Sequence, residues 1–385
     1  MIAEHITNAE RLAELADDWE RLVPDAPMLG PRWLLPWWRH YGAEPFAGPR
    51  GRQLSVLALV DPPYGLVALA PWYIEATRLH GRVVRFLGMG EVCTDYLGIP
   101  CRVGYEVDVA RMIADALLAT QPRSGECCAK SRARSWDMLD LHGVDENCPV
   151  TKRVMTELDN RGALVRSVRA CNGWRVVLPA TWDEYVGHLS KSHRKQVRRM
   201  MRGPLGSGRL VLHEVRTPNQ LPVALATLAT LHRRRRLSMG ESDLFARGRF
   251  AGFHRDAARG LLAAAKLRLS WAELDGVPVA AEYQLCGTGT VYAYQSGIDP
   301  GYLQSEPGHL ATIATMKAAI ERGDQAFDFM RGDEPYKAHW RAEPRPMLNV
   351  RVWPGSATDR LRRGIWQTGQ TVRAIVRDSR RMAGL

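Results

Sequence analysis

TVYAYQSGIDPGYLQSEPGHLATIATMKAAIERGDQAFDFMRGDEPYKAHW, residues 290–340, is the stretch whose reading decides the fold. An aromatic strand over Thr290 to Gly297 runs into a turn-rich loop, and Pro307-Gly308 opens a helix. A second strand, Ala326 to Met330, then ends in a charged loop. A helix start of this kind presents unpaired backbone N–H groups at the positive end of the helix dipole, which suits a phosphate or pyrophosphate. The following strand delivers Asp328, Arg331, Asp333, Glu334, Tyr336 and Lys337 to one edge of a sheet. An anion cradle beside a cluster of titratable groups points to group transfer from a phosphorylated carrier.

The whole chain has 385 residues, 45% of them apolar and 24% charged, which is ordinary for a folded globular protein and excludes a disordered one. Lys and Arg outnumber Asp and Glu by 53 to 41, a net charge of +12, so anionic partners are favoured: nucleic acid, phospholipid or a phosphorylated small molecule. An arginine-rich composition without functional meaning accounts for the same charge. Seven scattered cysteines without CxxC spacing suit a reducing cytoplasm and leave no zinc pattern. The first 22 residues read as an amphipathic polar helix and not as a signal peptide. No run approaches 18 uninterrupted apolar residues, so no membrane span is expected.

Outward from the opening stretch, the pattern predicts helices over Pro218–Arg236 and Arg249–Ala265, and strands over Leu267–Leu274 and Val277–Cys286 joined by an Asp275-Gly276 turn. A last strand covers Leu348–Trp353. The first half shows a similar order. A helix over Ala9–Val23 and a Trp-rich segment around Trp33, Trp37 and Trp38 precede a hairpin through Asp61–Gly65. A strand over Val83–Leu87, a helix over Tyr105–Ala119, a strand over Trp136–Leu141 and a helix over Pro149–Arg161 follow. The expectation is an α/β (α+β) fold made by a diverged duplication, with the boundary near Arg166–Pro179. Residues 1–165 form the first domain and 166–355 the second, which carries the donor site; 356–385 form a basic amphipathic helix. The tryptophans are core packing or a ligand box.

Three basic features carry both a plain and a functional reading. SKSHRKQVRRMMRG places Lys191, Arg194, Lys195, Arg198, Arg199 and Arg202 at spacings of three and four along one helix face, either a solvated surface or a binding stripe for a nucleotide phosphate, a phospholipid head group or an RNA backbone. The run Arg233–Arg236 sits at a helix end, where cations oppose the dipole, next to a loop able to cover a substrate. The carboxy-terminal segment docks on the protein's own surface or makes peripheral membrane contact.

Together these residues resemble the Gcn5-related N-acetyltransferase (GNAT) superfamily, in particular its CelD-like branch, related to FemAB-type peptidyltransferases. The match rests on Gly297-Ile298-Asp299-Pro300-x-Tyr302, Pro307-Gly308, Phe327-Asp328-Phe329-x-Arg331-Gly332 and Tyr336-Lys337-x-x-Trp340. Support comes from Trp33–Gly42, Ser190–Arg199 and His232–Arg235. The resemblance implies tandem GNAT-like domains, each a mixed, mostly antiparallel twisted sheet flanked by helices. It implies that the strand through Tyr292–Gly297 splays from its neighbour to pair with the pantetheine arm of acetyl-CoA or another acyl-CoA. Gln295, Ser296, Gly297, Ser305, Pro307, Gly308 and His309 would then hold the donor. The loop departs from the superfamily's Gln-x-x-Gly-x-Gly/Ala pattern: Pro307 removes one donor N–H, and Glu306 brings a negative charge near a diphosphate.

Acyl transfer to an amine needs a base, an oxyanion stabiliser and an acid for the departing thiolate. The candidate bases are Glu282 and Asp328, and the candidate acids Tyr294 and Tyr336. Arg235, Arg331, Lys337 and Trp340 are the candidate acceptor contacts. Asp328 read plainly is a buried carboxylate bonded to backbone or to Arg331; Glu282 is a solvent-facing strand residue, and Tyr292 and Tyr294 are core. The first functional reading is a cytoplasmic, metal-free N-acyltransferase acting directly on an amino sugar, polysaccharide or envelope precursor, or small amine. The alternatives are a FemAB-like transferase using aminoacyl-tRNA, and a non-catalytic accessory protein of polysaccharide synthesis. Neither DNA nor a metal is expected.

Overall fold

The computed structural model describes residues 1–42, 51–119, 121–122, 132–133 and 135–355. The first half runs β1 (Ile2–Ile6), α1 (Ala9–Glu14), α2 (Ala16–Leu22), α3 (Pro31–Tyr41), β2 (Arg52–Leu54), β3 (Val56–Asp61), β4 (Gly65–Ala70), β5 (Trp72–Thr77) and β6 (Gly81–Phe86). It continues through α4 (Glu106–Leu118), β7 (Gln121–Pro122), β8 (Arg132–Ala133), β9 (Met138–Asp145) and α5 (Pro149–Asn160) to β10 (Leu164–Val177). Then follow α6 (Trp182–His188), α7 (Lys191–Arg202), β11 (Leu210–Glu214), α8 (Leu221–Ser238), α9 (Gly248–Ala263), β12 (Leu267–Leu274) and β13 (Val277–Cys286). The chain finishes with β14 (Thr290–Ile298), α10 (Pro307–Glu321), β15 (Ala326–Arg331), α11 (Tyr336–His339) and β16 (Glu343–Trp353).

Among the described residues, eleven strands form one sheet in the order β11-β12-β13-β14-β15-β10-β16-β9-β6-β5-β2. Only two neighbouring pairs in it are parallel: β14 with β15, joined through α10, and β6 with β9, joined through α4. Each half thus has one crossover of the kind a parallel pair requires, the structural trace of the expected duplication. The fold class is therefore the one expected, a mixed, mostly antiparallel sheet flanked by helices. β10 follows β9 and α5 in the chain but pairs with β15 and β16, whereas β16 follows β15 and α11 but pairs with β10 and β9. The last strand of each half is thereby placed beside a strand of the other. β10 occupies the stretch expected to hold the domain boundary, and its long, half-polar sequence, LVRSVRACNGWRVV, was not legible as a strand.

Other differences are local. The chain starts with β1, antiparallel to β3, where a helix was expected; Asn8 accepts from the N–H groups of Glu10 and Arg11 and starts α1 only after it. β12 and β13 meet through the expected two-residue turn, with Asp275 and Gly276 both at positive φ and Leu274 paired to Val277. Trp33 and Trp37 are buried in a core shared by both halves, together with Phe253, Tyr283 and Tyr292. Cys127-Cys128 and the basic segment 356–385 lie outside the described residues.

Candidate active site

The site begins where β14 and β15 part. Their parallel register runs Thr290↔Ala326, Val291↔Phe327 and Tyr292↔Asp328, and stops there, although β14 continues to Ile298 and β15 to Arg331. On its other side β14 stays paired with β13, but the register shifts between Tyr283↔Gln295 and Gln284↔Ala293, so Tyr294 is the extra residue of a bulge. A bulge bends its strand and increases the local twist, which turns β14 away from β15. The opening is a cleft of about 570 Å³.

Glu282 and Tyr336 stand in this cleft as expected. Glu282 is half-buried in its wall and, among the described residues, has no hydrogen-bond or ion-pair partner. Burial alone pushes its carboxyl up to about 8. Tyr336 is 41% exposed and packs edge-on against Phe329. Its phenol is raised by burial and by the charges of Glu334 and Glu282, which places it within the field of the Glu282 carboxylate.

Asp328 does not reach the cleft. In a strand successive side chains alternate, and the residues of β15 that line the cleft are Phe327, Phe329 and Arg331. Asp328 points the other way and is fully buried, accepting from Tyr96 (2.9 Å), Arg175 (3.0 Å) and the N–H of Met330 (2.8 Å), with Arg345 at 3.5 Å. Of its plain readings, the bond to backbone holds, while the guanidinium beside it belongs to Arg175 and not Arg331. Burial raises its pKa, and Arg175 opposes that rise. Tyr294 borders the cleft, but its hydroxyl donates to the Val92 carbonyl at 2.7 Å and lies 3.2 Å from His254 Nε2, in the shared core.

Of the expected donor residues, Gln295, Ser296, Gly308 and His309 line the cleft; Gly297, Ser305 and Pro307 do not. Gly297 is needed for close approach: a Cβ there would sit 2.5 Å from the His232 nitrogen of α8. Pro307 is the buried first residue of α10, and Glu306 before it adopts φ +53°. The N–H groups of Gly308 and His309 have no hydrogen-bond acceptor among the described residues. Glu306 does not oppose an anion with a free charge. Its carboxylate accepts from Arg199 of α7 at 2.7 Å, from Gln196, and from His309 at 3.1 Å.

The cations divide similarly. Lys337 borders the cleft but is itself buried, and its Nζ donates to the carbonyls of Arg331 (2.7 Å) and Gly332 (3.0 Å) and pairs with Glu334. Arg331 is bonded to the Asp95 carboxylate and the Thr94 carbonyl of the first half. Trp340 is buried against His193 and His309 and is not a lining residue. Neither Lys337 nor Trp340 is therefore a free acceptor contact. Arg235 lines the cleft, and its guanidinium has no partner among the described residues. His232 was quoted in the sequence only as part of a motif, yet it also lines the cleft, and its spacing of three from Arg235 on a helix was the signal for that. The described residues contain no group of three or more His, Cys, Asp or Glu able to hold a metal, and no helix long and apolar enough to cross a membrane.

Residues 191–338, the part of the chain that builds the cleft, match the family model for the acetyltransferase (GNAT) domain. The fold is that of the GNAT superfamily. The chain is an acyltransferase by this GNAT domain. Among solved structures, FemX superposes with a TM-score of 0.58 at 11% identity, covering 91% of this chain and 97% of that one. A conserved protein of unknown function from Bacteroides thetaiotaomicron VPI-5482 gives 0.52 at 12% identity, with 91% and 100% covered. The C-terminal domain of a putative lysylphosphatidylglycerol synthetase from Agrobacterium fabrum gives 0.52 at 9% identity, with 94% and 96% covered. Identities this low speak for the fold alone. No curated protein matches the chain.

Proposed function

We propose that the GNAT domain transfers an acetyl or longer acyl group from acyl-CoA directly to an amine, with Glu282 as general base. The carrying observation is Glu282 itself: an unpaired carboxyl in the splayed cleft, with its pKa raised to about 8. A base tuned near the working pH combines a useful ionised fraction with a strong pull on the proton of the attacking amine. The residues suit the donor in three ways. Among the described residues, the edge of β14 beyond Tyr292 has no strand partner on the β15 side and the N–H groups of Gly308 and His309 at the start of α10 have no acceptor, while Arg199 balances Glu306. The donor, when bound, supplies an acyl group activated as a thioester. Glu282 removes the amine proton, a backbone N–H of the β14 edge meets the developing oxyanion, and Tyr336 is the group in reach to protonate the leaving thiolate. Residues 1–165 and 166–355 are taken as two domains, the second catalytic and the first a buttress for the back of β14.

A second reading, aminoacyl-tRNA as donor, is favoured by α7. It exposes Lys191, Lys195, Arg198 and Arg202, and none has an ion-pair partner among the described residues. Calorimetry separates the two readings. Acetyl-CoA and longer acyl-CoAs are expected to bind; no heat from any of them, with charged tRNA binding in a steeply salt-dependent way, would transfer the proposal to the second donor.

A further inference from the structure

The arginines of the LHRRRR run are not equivalent. Arg234 pairs with Asp299 at 2.5 Å, Arg236 with Glu241 at 3.0 Å, and Arg233 reaches Asp243 at 3.9 Å. Arg235 has no carboxylate or carbonyl partner among the described residues, and it is the one that is half-buried in the cleft without a neutralising group. The other cations of the cleft wall are spoken for: Arg331 by Asp95, and Lys337 by Glu334 and three carbonyls. One turn before Arg235 on α8, His232 also faces the cleft. It is only 5% exposed, and its Nδ1 is buried without any hydrogen-bond partner among the described residues. Leaving a buried polar atom such as His232 Nδ1 unmatched costs about 1–3 kcal/mol, and the half-buried Arg235 guanidinium beside it carries a charge that no carboxylate among the described residues balances. Two such groups at i and i+3 make one receptive face.

We infer that the acceptor is an amine that also carries an oxyanion, a carboxylate or a phosphate, and that the His232–Arg235 face of α8 holds that oxyanion. The inference rests on the acyl-transfer reading of the same cleft. Arg235 gives a planar pair of N–H donors, matched to two oxygens of the anion, and His232 gives one donor from the side. The donor's own anion belongs elsewhere, at the free N–H groups of Gly308 and His309 on α10, so the cleft has two anion-receptive walls on two elements. Glu282 lines the same cleft, where an amine tethered to an oxyanion on α8 would present its proton. A neutral amine would gain nothing from this face.

The test uses the full chain with acetyl-CoA and matched acceptors: glucosamine 6-phosphate against glucosamine, and β-alanine against propylamine. The wild type is expected to use the anionic member of at least one pair about tenfold better in kcat/KM, equivalent to about 1.4 kcal/mol. The phosphate and carboxylate arms tell which oxyanion is read. Arg235→Gln should collapse that ratio toward one while the dissociation constant of acetyl-CoA is unchanged, and Arg235→Lys should retain part of the ratio. Equal use of both members by the wild type overturns the inference, as does weakened acetyl-CoA binding in Arg235→Gln, which would assign Arg235 to the donor. If no amine is acylated, calorimetry with the four compounds decides separately. Binding of an anionic member that Arg235→Gln abolishes upholds the α8 face although acyl transfer has failed; no binding by any of them overturns it.

Discussion

The hydroxyl of Tyr96 donates to the carboxylate of Asp328 at 2.9 Å, joining residues 232 positions apart in the chain within a fully buried cluster. Arg175 and Arg345 approach the same carboxylate from β10 and β16. Asp328 therefore fastens the two halves behind the cleft. Breaking a buried ion pair by removing one partner costs about 3–5 kcal/mol. Asp328→Asn should lower stability on this scale in urea denaturation, while the folded fraction keeps the wild-type pH profile. Full stability together with lost turnover would return Asp328 to the chemistry.

Glu282→Gln should lower kcat about 100-fold or more, the usual contribution of a general base. Wild-type kcat/KM should rise with pH through an inflection near 8, and the variant should lack that inflection. Stability gives an independent reading. The folded pKa lies above the usual carboxyl value of 4.5, so the folded state binds the proton more tightly, and its stability must fall as pH rises from 4.5 to about 8. Glu282→Gln should flatten that decline in thermal unfolding measured at several pH values; a decline as steep as in the wild type would mean the raised pKa belongs to another group.

Gly297→Ala places a methyl group 2.5 Å from the His232 nitrogen and 2.8 Å from the Leu231 carbonyl carbon, both backbone atoms of α8. The helix must shift outward, at a cost of about 1–3 kcal/mol typical of overpacking. Thermal unfolding should register the loss, and an unchanged melting temperature would show that α8 yields freely.

Gly308 has room by contrast: an added Cβ meets only Ile298 Cγ2, at 3.9 Å. Gly308→Ala should fold normally, and Gly308→Phe should fold but fill the cleft and raise the dissociation constant of acetyl-CoA about tenfold. Equal affinity in both variants would remove the start of α10 from the donor site.

How far the site could be read from the chain depended on which contacts are local. The order of elements over residues 267–331 was legible because periodicity, Asp275-Gly276 and Pro307 are local signals, and the fold followed. The bases were not distinguishable by sequence, although one clue was present: Phe327, Phe329 and Arg331 share a parity that Asp328 does not. The partners that occupy the polar groups of Tyr294, Arg331 and Asp328, namely Val92, Asp95 and Tyr96, come from a loop some two hundred residues earlier, so no local pattern reveals them. Nor does the run of four arginines show which member is left without a carboxylate; that depends on where Asp243, Glu241 and Asp299 fall in space. β10 was missed because its exposed, arginine-rich face hides the alternation that a half-buried strand normally shows.

The pairing of β16 with both β9 and β10 also has a consequence for how the molecule comes into being. A ribosome that has delivered the first half has not yet delivered the strand that covers β9, which arrives only with Glu343–Trp353. Until then β9 presents an open hydrogen-bonding edge, and the nascent chain is exposed to wrong partners for the time needed to synthesise nearly two hundred more residues. Contacts this remote in sequence also make the closing of the sheet a slow, late event. The order of synthesis thus makes the strand nearest the end of the described chain the one that completes the middle of the sheet.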